Sequence, residues 1–245
     1  MFRSAAIMLA LCFVTCSAQA ALLGRVALTP GGTDYQAYYD DVLDITWLAD
    51  ADYAATNTFG VTGYGIGLYG VSMQWSTALA WTAGMNNANH LGVNNWRLPS
   101  VTDTGSPGCT GFDYNGTDCG WNVDLSTGEM AHLFYSTLGM NGSFDTNGQP
   151  TGCDSSPPTC LTNTGPFTHL RPAFFWSGNE NVAYTPYAWG FNFGTGGQGQ
   201  GDKTSFYRAW AVRDGDIDIV PVPASVWLFG SALSLMGWLR RKAAA

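Results

Sequence analysis

The sequence predicts an α+β fold, two helices among several short strands, carried between two apolar tails. Three observations predict it. Short runs of alternating apolar and polar residues are separated by Gly, Asn, Asp and Pro, the punctuation of strands and turns. Two longer stretches space their apolar residues for helices. At each end, an apolar run is bounded by cations.

Residues 1–20 read as a secretory signal peptide. Arg3 precedes the apolar run Ala5 to Val14, and Ala18-Gln19-Ala20 supplies the small residues that signal peptidase reads. Residues 21–34 are an N-terminal lead-in, and 35–214 form the globular body. Gln36 to Tyr39 and Ile45 to Leu48 read as strands turned at Asp40-Asp41. Gly60 to Gly70 is expected as a loop, followed by a helix from about Met73 to Met85 that Ser72 caps. Trp75, Ala78, Leu79 and Thr82 give that helix its apolar spacing. Asn95-Trp96-Arg97-Leu98-Pro99 predicts a short strand ended by proline. A second helix opens at Ser126, with Glu129 three residues on as a capping box, and buries Met130, Leu133, Phe134 and Leu138. Later strands are expected at Ala173 to Ser177, Ala188 to Phe193 and Phe206 to Arg213. The middle one alternates Trp189, Phe191 and Phe193 with small or polar residues, as a half-buried strand does. Gly194 to Gly201 is expected as a flexible hairpin loop, and 215–219 as a linker.

Residues 220–245 read as a sorting signal. Val220, Pro221, Val222, Pro223 and Ala224 precede the apolar segment Ser225 to Leu239, which stops at Arg240, Arg241 and Lys242. Hydrocarbon accepts the segment and rejects the cations, so a C-terminal transmembrane helix with a cytoplasmic end is expected. Motif, span and basic stop in this order resemble the PEP-CTERM class of exosortase substrates in its VPLPA-type variant. Val222 stands where the name-giving motif has glutamate. The resemblance implies a Gram-negative producer, transient anchoring in the inner membrane, cleavage by an exosortase-type enzyme, and delivery to the cell surface or extracellular matrix.

All eighteen acidic residues lie between the two tails, in residues 21–219, where six cations leave a net charge of −12. That field repels nucleic acid, so no nucleic-acid partner is expected. Four cysteines remain after processing: Cys109, Cys119, Cys153 and Cys160. In an oxidising compartment they read as two disulfides. Three pairings are open; Cys109–Cys119 with Cys153–Cys160 is favoured, because each pair brackets a short polar loop. No C-x-x-C spacing points to zinc. No cofactor is expected, with calcium the one metal to consider: Asp113, Asn115 and Asp118 share an insertion, without EF-hand spacing. Asp214, Asp216 and Asp218 read as a solvated approach to the tail.

Catalytic chemistry is not indicated. His132 and His169 read as packing or surface residues, Glu129 as a cap, and no G-x-S-x-G or H-E-x-x-H pattern occurs. Gly65 to Gly70 fits G-x-G-x-x-G without the preceding strand or following acid of a nucleotide site. Sugar recognition needs flat aromatic faces beside amide and carboxylate hydrogen bonds. Trp47, Trp75, Trp96, Trp176, Trp189 and Trp210 read as core. Tyr114 and Trp121, with Asp113 and Asn115, are the exposed ligand-binding candidates.

Several landmarks in order are similar to the Lcl C-terminal domain family, the end domain of a bacterial collagen-like adhesin. They are Tyr39-Asp40-Asp41-Val42-Leu43-Asp44-Ile45-Thr46-Trp47, Trp75 with Ala78-Leu79, and Asn95-Trp96-Arg97-Leu98-Pro99-Ser100. Gly128-Glu129-Met130, Phe175-Trp176-Ser177, Ala188-Trp189 and Ala211-Val212-Arg213 complete the series. The resemblance implies a C-type-lectin-like fold, two helices with small twisted antiparallel sheets and long loops, here tied by the predicted disulfides. It also implies an exported, non-enzymatic surface protein that adheres to extracellular polysaccharide. An exported glycan-active enzyme and a permanently anchored periplasmic protein are the alternatives.

Overall fold

A computed structural model describes residues 21–67, 70–101, 103, 113–114, 118–123, 125 and 128–217. The two strands predicted around Asp40-Asp41 form, as β2 (Tyr35–Asp40) and β3 (Ile45–Leu48), antiparallel to each other. The lead-in is part of the same sheet: its residues Leu22–Ala27 make β1, which pairs along the whole of β2. At the other side Val212–Asp214 pairs with β3. Beginning and end of the body therefore meet in one four-stranded sheet, and the ends are held by charge. Arg25 clasps Asp216 at 2.6 and 2.7 Å, and Ile217 is buried. Asp214 and Asp216 are thus both ion-paired, Asp214 while still largely solvated; Asp218 lies outside the described residues.

Three expectations fail for one reason, which is glycine. The stretch 60–70 carries a small hairpin, β4 (Tyr64–Gly67) with β5 (Gly70–Met73). Ser72 is in that strand, so Gln74 opens helix α1 (Trp75–Asn87) without a side-chain cap. The inward face of α1 is Ala78, Trp81, Thr82 and Met85, while Trp75 is only half-buried and donates its indole N–H to Ser177 O at 2.8 Å. The largest difference is at 194–201. Gly197–Asp202 is a strand, paired residue for residue with Tyr187–Asn192, which in turn pairs with Phe174–Glu180. Numbered in chain order, these are β8, β7 and β6, and β9 is Val212–Asp214.

Glycine is needed in this second sheet because aromatic rings lie on its backbone. A Cβ on Gly190 would meet the Phe174 ring at 2.3 Å, and one on Gly201 would meet Tyr207 at 2.5 Å. The sheet is covered on both faces: Ala188, Trp189, Gly190 and Phe191 are all buried, so β7 is not the half-buried strand its alternation suggested. Of the strand expected over 206–213 only Val212 and Arg213 lie in a strand, β9, and the rest of it and 95–99 give isolated bridges: Met73 with Tyr207, Phe175 with Arg208 and Arg97 with Val212. Arg208 sits buried there, 3.2 Å from Asp52.

The core joins the two sheets through rings. Trp47 packs on Trp210 at 4.7 Å, Trp210 on Phe167 at 4.9 Å, and Phe193 on Phe175 and Phe191 at 5.3 and 5.1 Å. Four buried indole N–H groups also brace the chain by bonding backbone carbonyls, while the buried Trp47 indole N–H finds no hydrogen-bond partner among the described residues. Trp81 reaches Asn57 O, Trp176 reaches Met73 O, Trp210 reaches Leu48 O and Trp96 reaches His90 O, all between 2.8 and 3.0 Å.

Helix α2 (Glu129–His132) continues into a wider π-helical turn, Leu133–Thr137. It buries Met130, Leu133, Phe134 and Leu138 as predicted. Its first residue is not a capping-box partner. Gly128 opens the helix, Ser126 lies outside the described residues, and the Glu129 carboxylate faces Arg97 instead. Arg97 donates to both Glu129 oxygens at 2.8 and 2.6 Å, and Ser100 N–H adds a third bond at 2.7 Å. Burial alone would lower the Arg97 pKa, but its bonds to Glu129 and Asp214 outweigh that and raise it. The Trp-Arg-Leu-Pro segment is thus the bolt between α2, the segment before it and β9.

Cys153 and Cys160 form the predicted disulfide. Cys119 is buried and disulfide-bonded; Cys109 lies outside the described residues. Among the described residues no helix is long and apolar enough to cross a membrane. The signal peptide, the sorting motif Val220 to Ala224, the apolar span and Arg240, Arg241 and Lys242 all lie outside them.

Candidate functional site

The second sheet carries a groove of about 420 Å³, lined without any charged side chain. Its floor is the bare backbone of β8 at Gly197 and Gly199. Trp121, Phe174, Tyr187, Asn192, Gln198 and Gln200 also line it, although the Gln198 side chain is fully buried. The pleat explains part of this lining. Phe174, Asn192 and Gly197 are register partners across three strands, so they share one face and the glycine leaves room above it, while Tyr187, Gln198 and Gln200 alternate to the other face.

Trp121 is brought to the groove by a short segment that adds to the free edge of β8. Gly120 and Gln198 exchange backbone hydrogen bonds at 2.9 and 2.8 Å, and Gln198 Nε2 donates to Asp118 O at 2.7 Å. The indole then lies against Gly197 and donates to Thr195 O at 3.1 Å. Gly142 permits this approach, since a Cβ there would stand 3.0 Å from the Trp121 ring. Tyr135, from the π-helical turn, locks the wall: its hydroxyl donates to Gly196 O at 2.7 Å and accepts from Asn122 N–H at 3.1 Å. Burial pushes the Tyr135 phenol up to about 12, against the small lowering by Asn122 N–H. The wall therefore stays neutral and hydrogen-bonded through the physiological range.

Of the predicted ligand residues, the structure brings Trp121 to the groove and places Tyr114 behind it. The two rings stack at 5.7 Å and 15°, and Phe144 closes on Trp121 at 4.5 Å. Both are half-buried members of an aromatic cluster, not freely exposed rings. Asp113 is exposed and its carboxylate accepts from Tyr114 N–H at 2.6 Å; Asp118 is buried; Asn115 lies outside the described residues. Among the described residues no three His, Cys, Asp or Glu side chains come together as metal ligands.

Phe174, Tyr187, Asn192, Gln198 and Gln200 were not among the sequence candidates. The available signal was the strict alternation Gly197-Gln198-Gly199-Gln200-Gly201-Asp202, a strand period in a segment whose glycines suggest a loop.

A second cavity, about 590 Å³, opens on the first sheet between Tyr35, Tyr38, Tyr53 and His90. It is larger, yet its carboxylates are already engaged: Asp34 by Thr29, and Asp50 by His169 and Asp52 N–H. Burial lowers the His90 pKa, so this imidazole is kept neutral. The groove is the better candidate because aromatic residues line it together with Asn192 and Gln200 and without charge.

Comparison with known families matches residues 36–213 to the Lcl C-terminal domain. No curated protein and no solved structure matches the chain. The match spans more than half of the sequence and contains both helices and the groove. Lcl C-terminal domains are surface-associated, adhesin-type modules, and this chain belongs to the Lcl C-terminal domain family.

Proposed function

We propose that the protein is an exported, non-enzymatic adhesin that binds neutral extracellular polysaccharide in the groove beside Trp121. The observation that carries this reading is the lining: aromatic residues beside the amide residues Asn192 and Gln200, with no charge. Aromatic faces pack against the C–H faces of sugars, and amides satisfy their hydroxyls. The net charge of −12 between the two tails opposes polyanionic glycans, which narrows the ligand to neutral ones. Two helices against small twisted antiparallel sheets accord with a C-type-lectin-like fold. Export by signal peptidase and sorting by an exosortase-type enzyme are supported by the two tails of the sequence.

A glycan array probed with the full chain, with and without a calcium chelator, tests the binding. Neutral glycans bound by the wild type and lost in Trp121→Ala support the proposal. Binding confined to sulfated or uronic glycans, or unchanged by Trp121→Ala, refutes it. Turnover of a bound sugar would instead favour a glycan-active enzyme. Mass spectrometry of the cell-surface protein tests sorting: a C-terminus near Pro223 supports it, and an intact Ala245 supports permanent anchoring.

A further inference from the structure

The first sheet forks just past β3. Ala49 N–H donates to Gln36 O at 2.9 Å, yet the Ala49 carbonyl accepts from Thr168 N–H at 2.9 Å, and Ala51 N–H donates to Thr168 O at 2.9 Å. The chain beyond β3 thus passes from β2 to the segment around Thr168, and these two arms part. The cavity of about 590 Å³ opens in the fork: Asp34 and Tyr35 line it from one arm, Pro166 and Thr168 from the other, and Asp50 from the chain between. It lies where the sheet opens rather than on one face, so residues of either pleat reach it.

Its rings are held in place. Tyr35 lies over Gly24, where a Cβ would stand 2.1 Å from the ring, and it meets Tyr38 edge-on at 5.9 Å. Tyr53 meets His90 at 5.0 Å with planes at 30°. All four side chains are half-buried. The carboxylates are fixed as well, but by bonds that leave charge available. Thr29 donates to Asp34 from its hydroxyl at 2.7 Å and its backbone N–H at 3.1 Å, and these bonds hold the Asp34 carboxyl below its usual pKa. Asp50 receives Asp52 N–H and His169 Nδ1 on the same oxygen, Oδ1, at 2.8 and 2.9 Å. Its Oδ2 takes no hydrogen bond among the described residues. No Lys or Arg is among the described residues that line the cavity, and His90 is kept neutral.

Carboxylates beside tyrosine faces, with no cation in the lining, form a site that a positive ligand completes. Ammonium groups are drawn to the negative faces of aromatic rings and donate strong hydrogen bonds to carboxylates. The net charge of −12 between the two tails favours the approach of cations. We propose that this cavity binds a small organic ammonium ion, its charged group held by Asp50 and Asp34 against the tyrosine rings. The site is separate from the groove, and neither depends on the other.

The test is isothermal titration of the full chain, in micelles of a polyoxyethylene detergent, with choline, butylamine and dimethylbutanol, the uncharged isostere of choline. Choline or butylamine should bind, more weakly as salt rises, and dimethylbutanol should not. Stronger binding of choline would assign the larger share to the rings, and stronger binding of butylamine to the carboxylates. Asp50→Asn and Asp34→Asn should each weaken the bound amine roughly five- to tenfold. The exposed Asp34 keeps the test open should Asp50→Asn fail to fold. Asp154→Asn, the same charge change at an exposed position outside the cavity, should leave binding unchanged. Equal binding of dimethylbutanol, equal loss in Asp154→Asn, or no binding of either amine at on the order of tens of millimolar overturns the proposal and leaves the groove reading standing.

Discussion

Replacing Arg97 with methionine keeps its apolar stem but removes the guanidinium that joins α2 to the segment before it. Glu129, whose side chain is 10 % exposed, would lose both bidentate bonds and keep only Ser100 N–H. Stranding one member of a buried ion pair costs about 3–5 kcal/mol. The Arg97 side chain is 33 % exposed, so water replaces part of the loss, which reduces the expectation to about 2–3 kcal/mol. The Asp214 contact adds little, because that carboxylate is 73 % exposed. For a body of this size the loss corresponds to a fall in Tm of roughly 4–12 °C. Urea unfolding of the wild type, Arg97→Met, Glu129→Gln and the double variant measures it as a cycle. Glu129→Gln should restore part of the stability in the Arg97→Met background, since it removes the stranded charge. A loss below about 0.5 kcal/mol, or strictly additive single effects, would refute Arg97 as the bolt.

Gly190→Ala places a Cβ 2.3 Å from Phe174 and 2.4 Å from Phe175 O, so it should destabilise by about 1–3 kcal/mol and disturb a groove wall. Thermal unfolding together with oligosaccharide titration checks both effects. Replacing Cys153 and Cys160 by serine together should remove about 2–3 kcal/mol, from the loop-closure entropy of their seven-residue separation, read as a shift in urea midpoint. Acidification below about pH 6.5 should weaken the fold through His90. Its folded pKa is lowered by burial, so the unfolded chain binds the proton first and stability falls with pH in that window. His90→Phe should flatten the slope between pH 6.5 and 5, measured as urea midpoint against pH; an unchanged slope would contradict it.

Much of the frame was legible in the sequence because it rests on local period. The strand pair around Asp40-Asp41, the inward face of α2 and the 153–160 loop needed no information from elsewhere in the chain. What was illegible depends on distant partners. Gly197, Gly199 and Gly201 read as loop residues by intrinsic preference, and only the Trp121, Trp176 and Tyr207 rings packed against this segment explain why a strand there is built of glycine. Glu129 carries a sound local capping signature, yet Arg97, 32 positions away, takes its carboxylate. Trp121 could be singled out as a ligand residue because of its insertion, whereas Phe174 joins it only through sheet register.

Perturbation of individual residues by a bound oligosaccharide tests the groove most directly. In a two-dimensional NMR titration, the Trp121 indole N–H and the side-chain amides of Asn192 and Gln200 should shift together and saturate at one affinity. The Tyr35, Tyr53 and His90 cavity should stay silent. Shifts confined to that cavity, with Trp121 unmoved at saturation, would contradict the assignment.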